Sequence, residues 1–467
     1  MKRIRIGNGC GFWGDSPDAP VRLAEAGSLD YLTLEYLAEL TMSILALLRQ
    51  RDANAGYATD FIDVLGRLAP QLKRQPGLKV ITNAGGMNPA ACGKAAKEAL
   101  AKAGITDRTV GVVSGDDLLP RLDELIAAGH PLQNLDTGEP LTAVRQRVVS
   151  ANAYLGSAPI AEALKRGASV VVTGRVADAC LTVGPCLHEF GWPTDDWHRL
   201  AAGSVAGHLI ECGAQATGGL WVNATEATGF ENIGYPFVDI ADDGTFTISK
   251  PAGSGGAVNL ETVSEQLLYE VADPARYFTP DVVADFTTPT FTQEGPDVVR
   301  CVGSEGQPAS DSYKVSIAYR DGWTSAGTLV IPGPNAAAKA RHSGRIILDR
   351  LKRSGHTFAH SLVEVLGAGD CVPGVGWPAL AESGNHTDSR RESATLADPP
   401  EVVLRVAVRD ANKAAVERFT KEFAPLVTSG YAGTTGYTTG RAAVREVFAY
   451  WPALIAKSAV TPKVEVI

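Results

Sequence analysis

The sequence predicts an α/β protein with a parallel doubly wound sheet core, a mixed α+β lobe and a carboxyl-terminal ferredoxin-like α/β sandwich. Short apolar segments recur in the first 197 residues, each followed by a loop rich in Gly, Asn or Asp and then by a helical pattern. Residues 198–310 mix both periodicities, and a new alternating pattern begins near Asp311. We therefore expect domains at 1–197, 198–310 and 311–467, the second closing over the first.

Residues 150–192 contain the clearest strand and helix signals of the core. Ser157 and Pro159 are typical of a helix start and Gly167 of a helix end. The run Val170–Val172 lacks polar alternation, which is typical of a strand covered on both faces of a parallel sheet. This strand is the reference point for the predicted site.

The residues after this strand are candidates for chemistry, because ligands of open α/β sheets bind outside the carboxyl ends of the strands. Arg175 and Asp178 lie there, together with Gly174. We expect Arg175 to bind an anionic group and Asp178 to act in proton transfer. A purely structural ion pair between two residues three positions apart is the alternative interpretation.

Several loops combine glycine with a following helix start, an arrangement that offers backbone N–H groups to an anion. The predicted strands that precede most of them are 3–7, 30–34, 78–82 and 109–113. The candidate ligand-binding residues are Gly9, Gly11, Asn83, Gly85, Gly86, Asn88, Ser114, Asp116, Gly174, Gly255 and Gly256. For the 253–256 segment, a plain hairpin turn is the alternative. No loop matches a dinucleotide or Walker fingerprint, so we predict no cofactor.

Four further residues are candidates for acid–base work. Asp15 could be catalytic or could cap a helix that begins near Pro20. Glu35 lies four positions before Glu39, a spacing that suits paired carboxylates or a solvated helix start. His208 and Glu211 share one face of the predicted helix 197–215, where the alternative is a hydrogen-bonded core histidine. Two possible ligands do not make a metal site, and none is predicted.

The last third of the chain begins with two alternating segments around Arg320-Asp321-Gly322, which predict a β-hairpin. The segments are 312–319 and 323–331. The other elements predicted there are a helix at 335–353, a strand at 361–366, an irregular stretch at 367–400, a strand at 402–408 and a helix at 411–423.

Composition excludes some classes of protein. A formal charge of −9 without any Lys/Arg run disfavours nucleic-acid binding. Seven cysteines without a Cys-x-x-Cys motif favour reduced thiols and a cytoplasmic location. We found no signal peptide and no apolar run of about 18 residues, and so expect no membrane association. A homo-oligomer is expected.

Six segments, taken together, are more specific than any one alone. They are Gly9–Asp15, Asp30–Glu39, Thr173–Asp178, His188–Trp192, Gly207–Gly213 and Glu265–Glu270. Together they resemble the acyclic terpene utilisation protein A (AtuA) family over nearly the whole chain. The resemblance implies a core domain followed by a ferredoxin-fold domain. AtuA genes lie beside genes for the breakdown of citronellol- and geraniol-derived acids as CoA thioesters, which implies acyl-CoA or branched-acid catabolism.

The resulting hypothesis is an enzyme of the lyase or hydratase type, acting on an acyl-CoA or on a branched hydroxy or unsaturated acid. Arg175 would bind the anionic group, and Asp15, Glu35, Asp178 or His208 would move the proton. Glu211 would be the acid–base partner of His208. The CoA moiety of the substrate is the one cofactor-like group expected. The alternatives are a non-catalytic acyl-CoA or carboxylate-binding subunit of a larger assembly, and a metal-dependent hydrolase.

Overall fold

A computed structural model describes residues 1–371, 399–436 and 440–467. The chain forms two compact units, one of Met1–Tyr319 with Tyr450–Ile467 and one of Arg320–Ala449. Most of the irregular stretch expected at 367–400 lies outside the described residues. Strands from 198–310, expected as a separate lobe, belong to the same sheet as strands from 1–197.

The strands and helices are numbered in chain order within the described residues. The strands are β1 (Arg3–Asn8), β2 (Tyr31–Leu34), β3 (Lys79–Thr82), β4 (Val110–Ser114), β5 (Val148–Ala153), β6 (Val170–Thr173), β7 (Phe237–Ala241), β8 (Phe246–Ser249), β9 (Tyr277–Phe278), β10 (Val283–Asp285), β11 (Thr290–Gly295), β12 (Val298–Val302), β13 (Glu305–Gln307), β14 (Ser312–Pro332), β15 (His360–Leu366), β16 (Glu401–Asp410), β17 (Arg445–Ala456) and β18 (Lys463–Val466). The helices are α1 (Ala19–Gly27), α2 (Glu39–Arg51), α3 (Asp60–Arg74), α4 (Pro89–Lys102), α5 (Leu122–Ala127), α6 (Ala158–Lys165), α7 (Cys180–Phe190), α8 (Trp197–Glu211), α9 (Leu260–Leu268), α10 (Ala336–Arg353), α11 (Lys413–Phe419) and α12 (Leu426–Ser429).

The main sheet of the described residues has ten strands in the order β11-β12-β8-β7-β1-β2-β3-β6-β4-β18. The central strands β1, β2, β3, β6 and β4 are parallel, as the sequence predicted. The outer strands, from residues 237–302 and 463–466, pair antiparallel, so the sheet as a whole is mixed. On one side of the sheet, β7 and β8 are joined by a tight turn around Gly244 (φ +89°), and such a short hairpin makes the two strands antiparallel.

Two hydrophobic cores cover the two faces of the parallel strands. On β6, Val171 packs in the core that includes residues of α6 to α9. Its neighbours Val170 and Val172 pack in the core that includes residues of α1 to α4. Because successive side chains of a strand point to opposite faces, this apolar run is buried on both sides.

In the second unit, α10 packs on a sheet that includes β15, β16 and the end of β14. The predicted hairpin around Arg320-Asp321-Gly322 is wrong, since β14 is one continuous strand. Its first half pairs with β5 and its second half with β16. The alternation on both sides of Gly322 (φ +90°) was real, but the strand changes partner there instead of reversing direction.

The helices of the described residues are too short or too polar to cross a lipid bilayer.

In the first unit, α8 packs closely on the residue that precedes α7. A Cβ atom built on Gly207 would lie 2.8 Å from both the Cα and the carbonyl oxygen of Ala179. Glycine at this position therefore allows the two helices to approach.

We predict that Gly207→Ala lowers the free energy of unfolding by about 1–3 kcal/mol, because the extra methyl group overlaps backbone atoms that cannot move aside. Urea denaturation measures the effect. The control is Gly66→Ala in α3, where no described atom lies within 4 Å of the added Cβ and alanine should raise stability by about 0.5–1 kcal/mol. Equal stability of the two variants would show that the helices are not in close contact.

Candidate functional site

A cavity of about 690 Å³ opens in the first unit, where β1, β2 and β6 end. The structure brings all six residues expected to carry chemistry to its wall. They are Asp15, Glu35, Arg175, Asp178, His208 and Glu211. These residues come from distant parts of the chain, and the strand ends and α8 bring them together.

Glu35 follows β2 and lies at the buried end of the cavity, with 4% of its surface exposed. Its Oε1 atom accepts hydrogen bonds from the backbone N–H of Leu37 (3.0 Å) and from the side-chain amide of Asn83. Its Oε2 atom has no hydrogen-bond partner among the described residues. Burial and the nearby Asp178 charge raise the pKa of Glu35 well above its usual value, although Arg175 opposes the shift. The neutral carboxylic acid is therefore favoured.

Arg175 follows β6, and its buried guanidinium is 2.7 Å from Asp178 Oδ1. The same nitrogen, Nη1, donates to the carbonyl oxygen of Leu37 (3.1 Å) and lies 3.9 Å from Glu35 Oε1. The guanidinium stacks on the ring of Tyr154 at 4.1 Å from its centroid. The ion pair predicted from the i, i+3 spacing thus forms beside the cavity, with Arg175 buried and Asp178 partly exposed.

Asp116 is hydrogen-bonded to the turn that carries Arg175. Its Oδ2 atom accepts hydrogen bonds from the backbone N–H of Arg175 (2.9 Å) and from the side-chain amide of Asn152 (2.8 Å). A Cβ atom on Gly174 would overlap the Asp116 carboxylate, so the glycine permits this contact. Burial raises the pKa of Asp116 to about 6. Asp116 and Gly174, expected to bind ligand, fix the position of Arg175.

His208 and Glu211 form a hydrogen-bonded pair on α8, with Nδ1 of the histidine 2.8 Å from Oε1 of the glutamate. His208 is 1% exposed and packs against the rings of Tyr277 and Phe286. Burial lowers the pKa of His208, but the charge and hydrogen bond of Glu211 raise it by more. Burial also raises the pKa of Glu211. His208 Nε2 and Glu211 Oε2 have no hydrogen-bond partner in the described chain.

Asp15 organises the loop after β1 instead of capping a helix. Its carboxylate accepts hydrogen bonds from the backbone N–H groups of Gly11 (2.8 Å) and Ser16 (2.7 Å), and from the hydroxyl group of Tyr235. The residue before α1 is Asp18, so the capping alternative for Asp15 is wrong. Gly11 is the one candidate glycine among the described lining residues of this cavity.

Sequence reasoning missed a second polar group at the cavity wall, formed by Glu39, Tyr154 and Lys314. Tyr154 donates its hydroxyl hydrogen to Glu39 Oε1 (2.6 Å), and Lys314 Nζ lies 3.2 Å from the same atom. Burial opposes ionisation of Glu39, but these two donors lower its pKa to about 2. Glu39 had been considered only as a neighbour of Glu35, and no local pattern marked Tyr154 or Lys314.

The loop after β3 contacts the site through Asn83. Asn83 binds Glu35 and also accepts a hydrogen bond from the backbone N–H of Tyr36 (2.8 Å). A Cβ atom on Gly85 or Gly86 would overlap atoms of nearby residues in the same chain, so both glycines allow close packing. Asn88 caps α4 by accepting from Ala91 N–H, which agrees with the predicted cap and leaves its oxygen occupied.

The remaining candidate ligand residues also have structural roles. Ser114 ends β4 and pairs with Lys463 of β18. Gly9 packs on the backbone of Pro20, and Gly255 and Gly256 pack on neighbouring backbone in the second half of the unit. In the described ranges, no group of three or more His, Cys, Asp or Glu side chains is arranged to hold a metal ion.

The raised pKa of Glu35 predicts a pH-dependent stability difference. Because its folded-state pKa lies above the usual value of 4.5, the free energy of unfolding falls as pH rises from 4.5 through the folded-state pKa. Glu35→Gln cannot ionise and lacks this fall, so its stability relative to the parent should increase with pH. Urea denaturation between about pH 4 and pH 9 measures the difference. Glu98→Gln, at a 68% exposed carboxylate on α4, is the control and should follow the parent. A constant offset for Glu35→Gln would contradict the raised pKa.

Comparison with known proteins identifies a family whose model covers nearly the whole chain. The model of the family described as "Acyclic terpene utilisation family protein AtuA" matches residues 4–466. No curated protein and no solved structure gives a significant match. The match covers both compact units and every residue of the cavity wall. This chain therefore belongs to the AtuA family of acyclic terpene utilisation proteins.

Proposed function

We propose that this protein is an enzyme of acyclic terpenoid or branched-acid breakdown, acting as a lyase or hydratase on an acyl-CoA or on a related unsaturated or hydroxy acid. The observation that carries the proposal is the buried carboxyl group of Glu35, held in one cavity with the Arg175–Asp178 ion pair and the His208–Glu211 pair. Paired ionisable groups in different environments are typical of acid–base catalysis.

Unsatisfied polar atoms support a ligand in this cavity. Within the described residues, four buried atoms of its wall have no hydrogen-bond partner: Glu35 Oε2, Arg175 Nε, His208 Nε2 and Glu211 Oε2. A buried polar atom left without a partner costs about 1–3 kcal/mol, so such atoms are rare unless water or a ligand binds them. A carbonyl group and a water molecule would satisfy this set.

For the hydratase reaction, water adds across the double bond of an enoyl substrate. Arg175 Nε donates a hydrogen bond to the carbonyl oxygen, where negative charge develops. The His208–Glu211 pair takes a proton from water as the oxygen bonds to the β-carbon, and Glu35 gives its proton to the α-carbon. Atoms and electrons balance without an oxidant or reductant, and the reverse sequence is the lyase direction.

The charges of the cavity wall indicate which part of an acyl-CoA would enter the cavity. The carboxylates among its described lining residues are Asp15, Glu39, Asp178, Glu211 and Glu270, beside the neutral Glu35, against the cations Arg175 and Lys314. CoA phosphates would be repelled by this wall, and a volume of about 690 Å³ suits a ligand of drug size. The acyl group and thioester would therefore lie inside, with the nucleotide outside.

The thiols support a reducing location for this activity. Among the described residues, all seven cysteines are free and five are buried. Structural disulfides are typical of secreted proteins and rare in the cytosol. We propose that the enzyme works in the cytoplasm.

We predict that Glu35→Gln lowers kcat/KM for hydration of a branched 2-enoyl-CoA by about 10² to 10⁴, since the amide cannot donate the required proton. The measurement is loss of the conjugated thioester absorbance with time. Glu162→Gln, at an exposed carboxylate of α6, is the control and should retain parental turnover. Turnover by Glu35→Gln within threefold of the parent would refute the acid role. If the parent binds the same thioesters without turnover, the proposal that it is an enzyme is refuted, and a binding subunit is indicated.

A further inference from the structure

The mouth of the cavity is lined by exposed apolar side chains. Phe12, Leu220, Tyr269 and Phe278 all line the cavity, with exposed fractions of 57%, 79%, 37% and 57%. The polar groups at the inner end, such as Arg175 at 2%, are buried. The cavity therefore changes from a charged, buried interior to an exposed opening, where these apolar side chains lie with the charged Glu39, Glu270 and Lys314.

Leu220 adopts a backbone conformation that leucine rarely takes, with φ +64° in the left-handed region. The turn that holds it includes hydrogen bonds from Gly219 N–H to Ala214 (3.0 Å) and from Trp221 N–H to the carbonyl of Gly218 (3.3 Å). Such a conformation costs about 1–3 kcal/mol and persists only where the surrounding structure imposes it. The fold thus holds an exposed leucine in a strained turn beside the site.

The glycine-rich loop at 253–256 braces this turn. Gly256 N–H donates to the carbonyl of Thr228 (2.9 Å), and Ala257 N–H donates to the carbonyl of Thr217 (2.8 Å). A Cβ atom on Gly256 would overlap the Thr217 carbonyl, so only glycine permits the contact. This loop, which the sequence suggested as an anion-binding loop, connects the two ends of the segment that carries Leu220.

We propose that Phe12, Leu220, Tyr269 and Phe278 form a subsite for the apolar chain of the substrate, and so select acyl groups that are long enough to reach the mouth. This inference rests on the proposed function for the position of the acyl head at Glu35 and Arg175. The continuity of the four side chains with the polar interior favours a substrate chain over a second protein copy.

The size of the effect follows from hydrophobic transfer. Burial of one methylene group stabilises binding by about 0.8 kcal/mol, which corresponds to about fourfold in Kd. A chain with several carbons more than the interior can hold should gain at least tenfold in affinity at the mouth. Loss of the Leu220 side chain should cancel most of this gain.

The test compares two saturated N-acetylcysteamine thioesters, 3-methylbutanoyl and 3,7-dimethyloctanoyl, by isothermal titration calorimetry. A saturated acyl group cannot be hydrated, and these probes lack the CoA phosphates, so only binding of the acyl thioester is measured. The parent should bind the longer probe at least tenfold more tightly. Leu220→Asn, whose asparagine tolerates the left-handed conformation, should weaken the longer probe about tenfold and the shorter one less than twofold.

Val222→Asn is the matched control, because Val222 is 84% exposed and is not among the described lining residues. It should bind both probes like the parent. Equal affinity of the parent for the two probes, or equal behaviour of the Leu220 and Val222 variants, would overturn the subsite. So would a change in sedimentation of Leu220→Asn without any change in chain-length preference, which would make the mouth a contact between copies. Turnover by Glu35→Gln would refute acid catalysis by Glu35. The binding results would still test the apolar subsite, because they do not depend on turnover.

Discussion

The buried charge of Arg175 is the constraint on which the site depends. A guanidinium removed from water must be paired, and loss of one partner from a buried pair costs about 3–5 kcal/mol. Asp178, the Leu37 carbonyl and the Tyr154 ring supply that compensation in this fold. Because these groups come from different strand ends, the charge also fixes the positions of the loops that bear them.

The two charges of this ion pair act in opposite directions on the neighbouring Glu35 carboxyl group, since Asp178 raises its pKa and Arg175 lowers it. Asp178 is in direct contact with Arg175, whereas Glu35 is 3.9 Å away, more deeply buried and close to Asp178. One carboxyl group therefore pairs with the cation while the other favours its neutral form. The α8 helix adds a second proton-binding pair on the cavity wall, His208 and Glu211. The proposed addition to a double bond uses both of these groups at one cavity, one as acid and one as base.

Sequence reasoning succeeded where the signal was local. The apolar run at 170–172 predicted a strand, and ligands bind at strand ends. The i, i+3 spacings then pointed to Arg175 with Asp178 and to His208 with Glu211. The fold brings these four residues to one cavity. It failed for contacts between residues far apart in the chain. Lys314 reaches Glu39 across 275 positions, and no spacing pattern reports such a contact. Glycine loops were ambiguous. Glycine lets the backbone come close to a ligand, and it equally lets the backbone come close to other residues of the same protein. The strand that changes partner at Gly322 was indistinguishable from a hairpin, since both give alternation on either side of a turn-like triplet.

We infer that Glu35 is a buried acid that retains its proton beside Arg175. The most direct measurement is a ¹³C NMR titration of glutamate side-chain carboxyl groups, with the Glu35 signal assigned by its absence from Glu35→Gln. We expect a midpoint well above the usual value of 4.5 and a return toward 4.5 when the protein is unfolded in urea. A folded-state midpoint at or below 4.5 would contradict it, because Glu35 would then be an ordinary carboxylate with no proton to give.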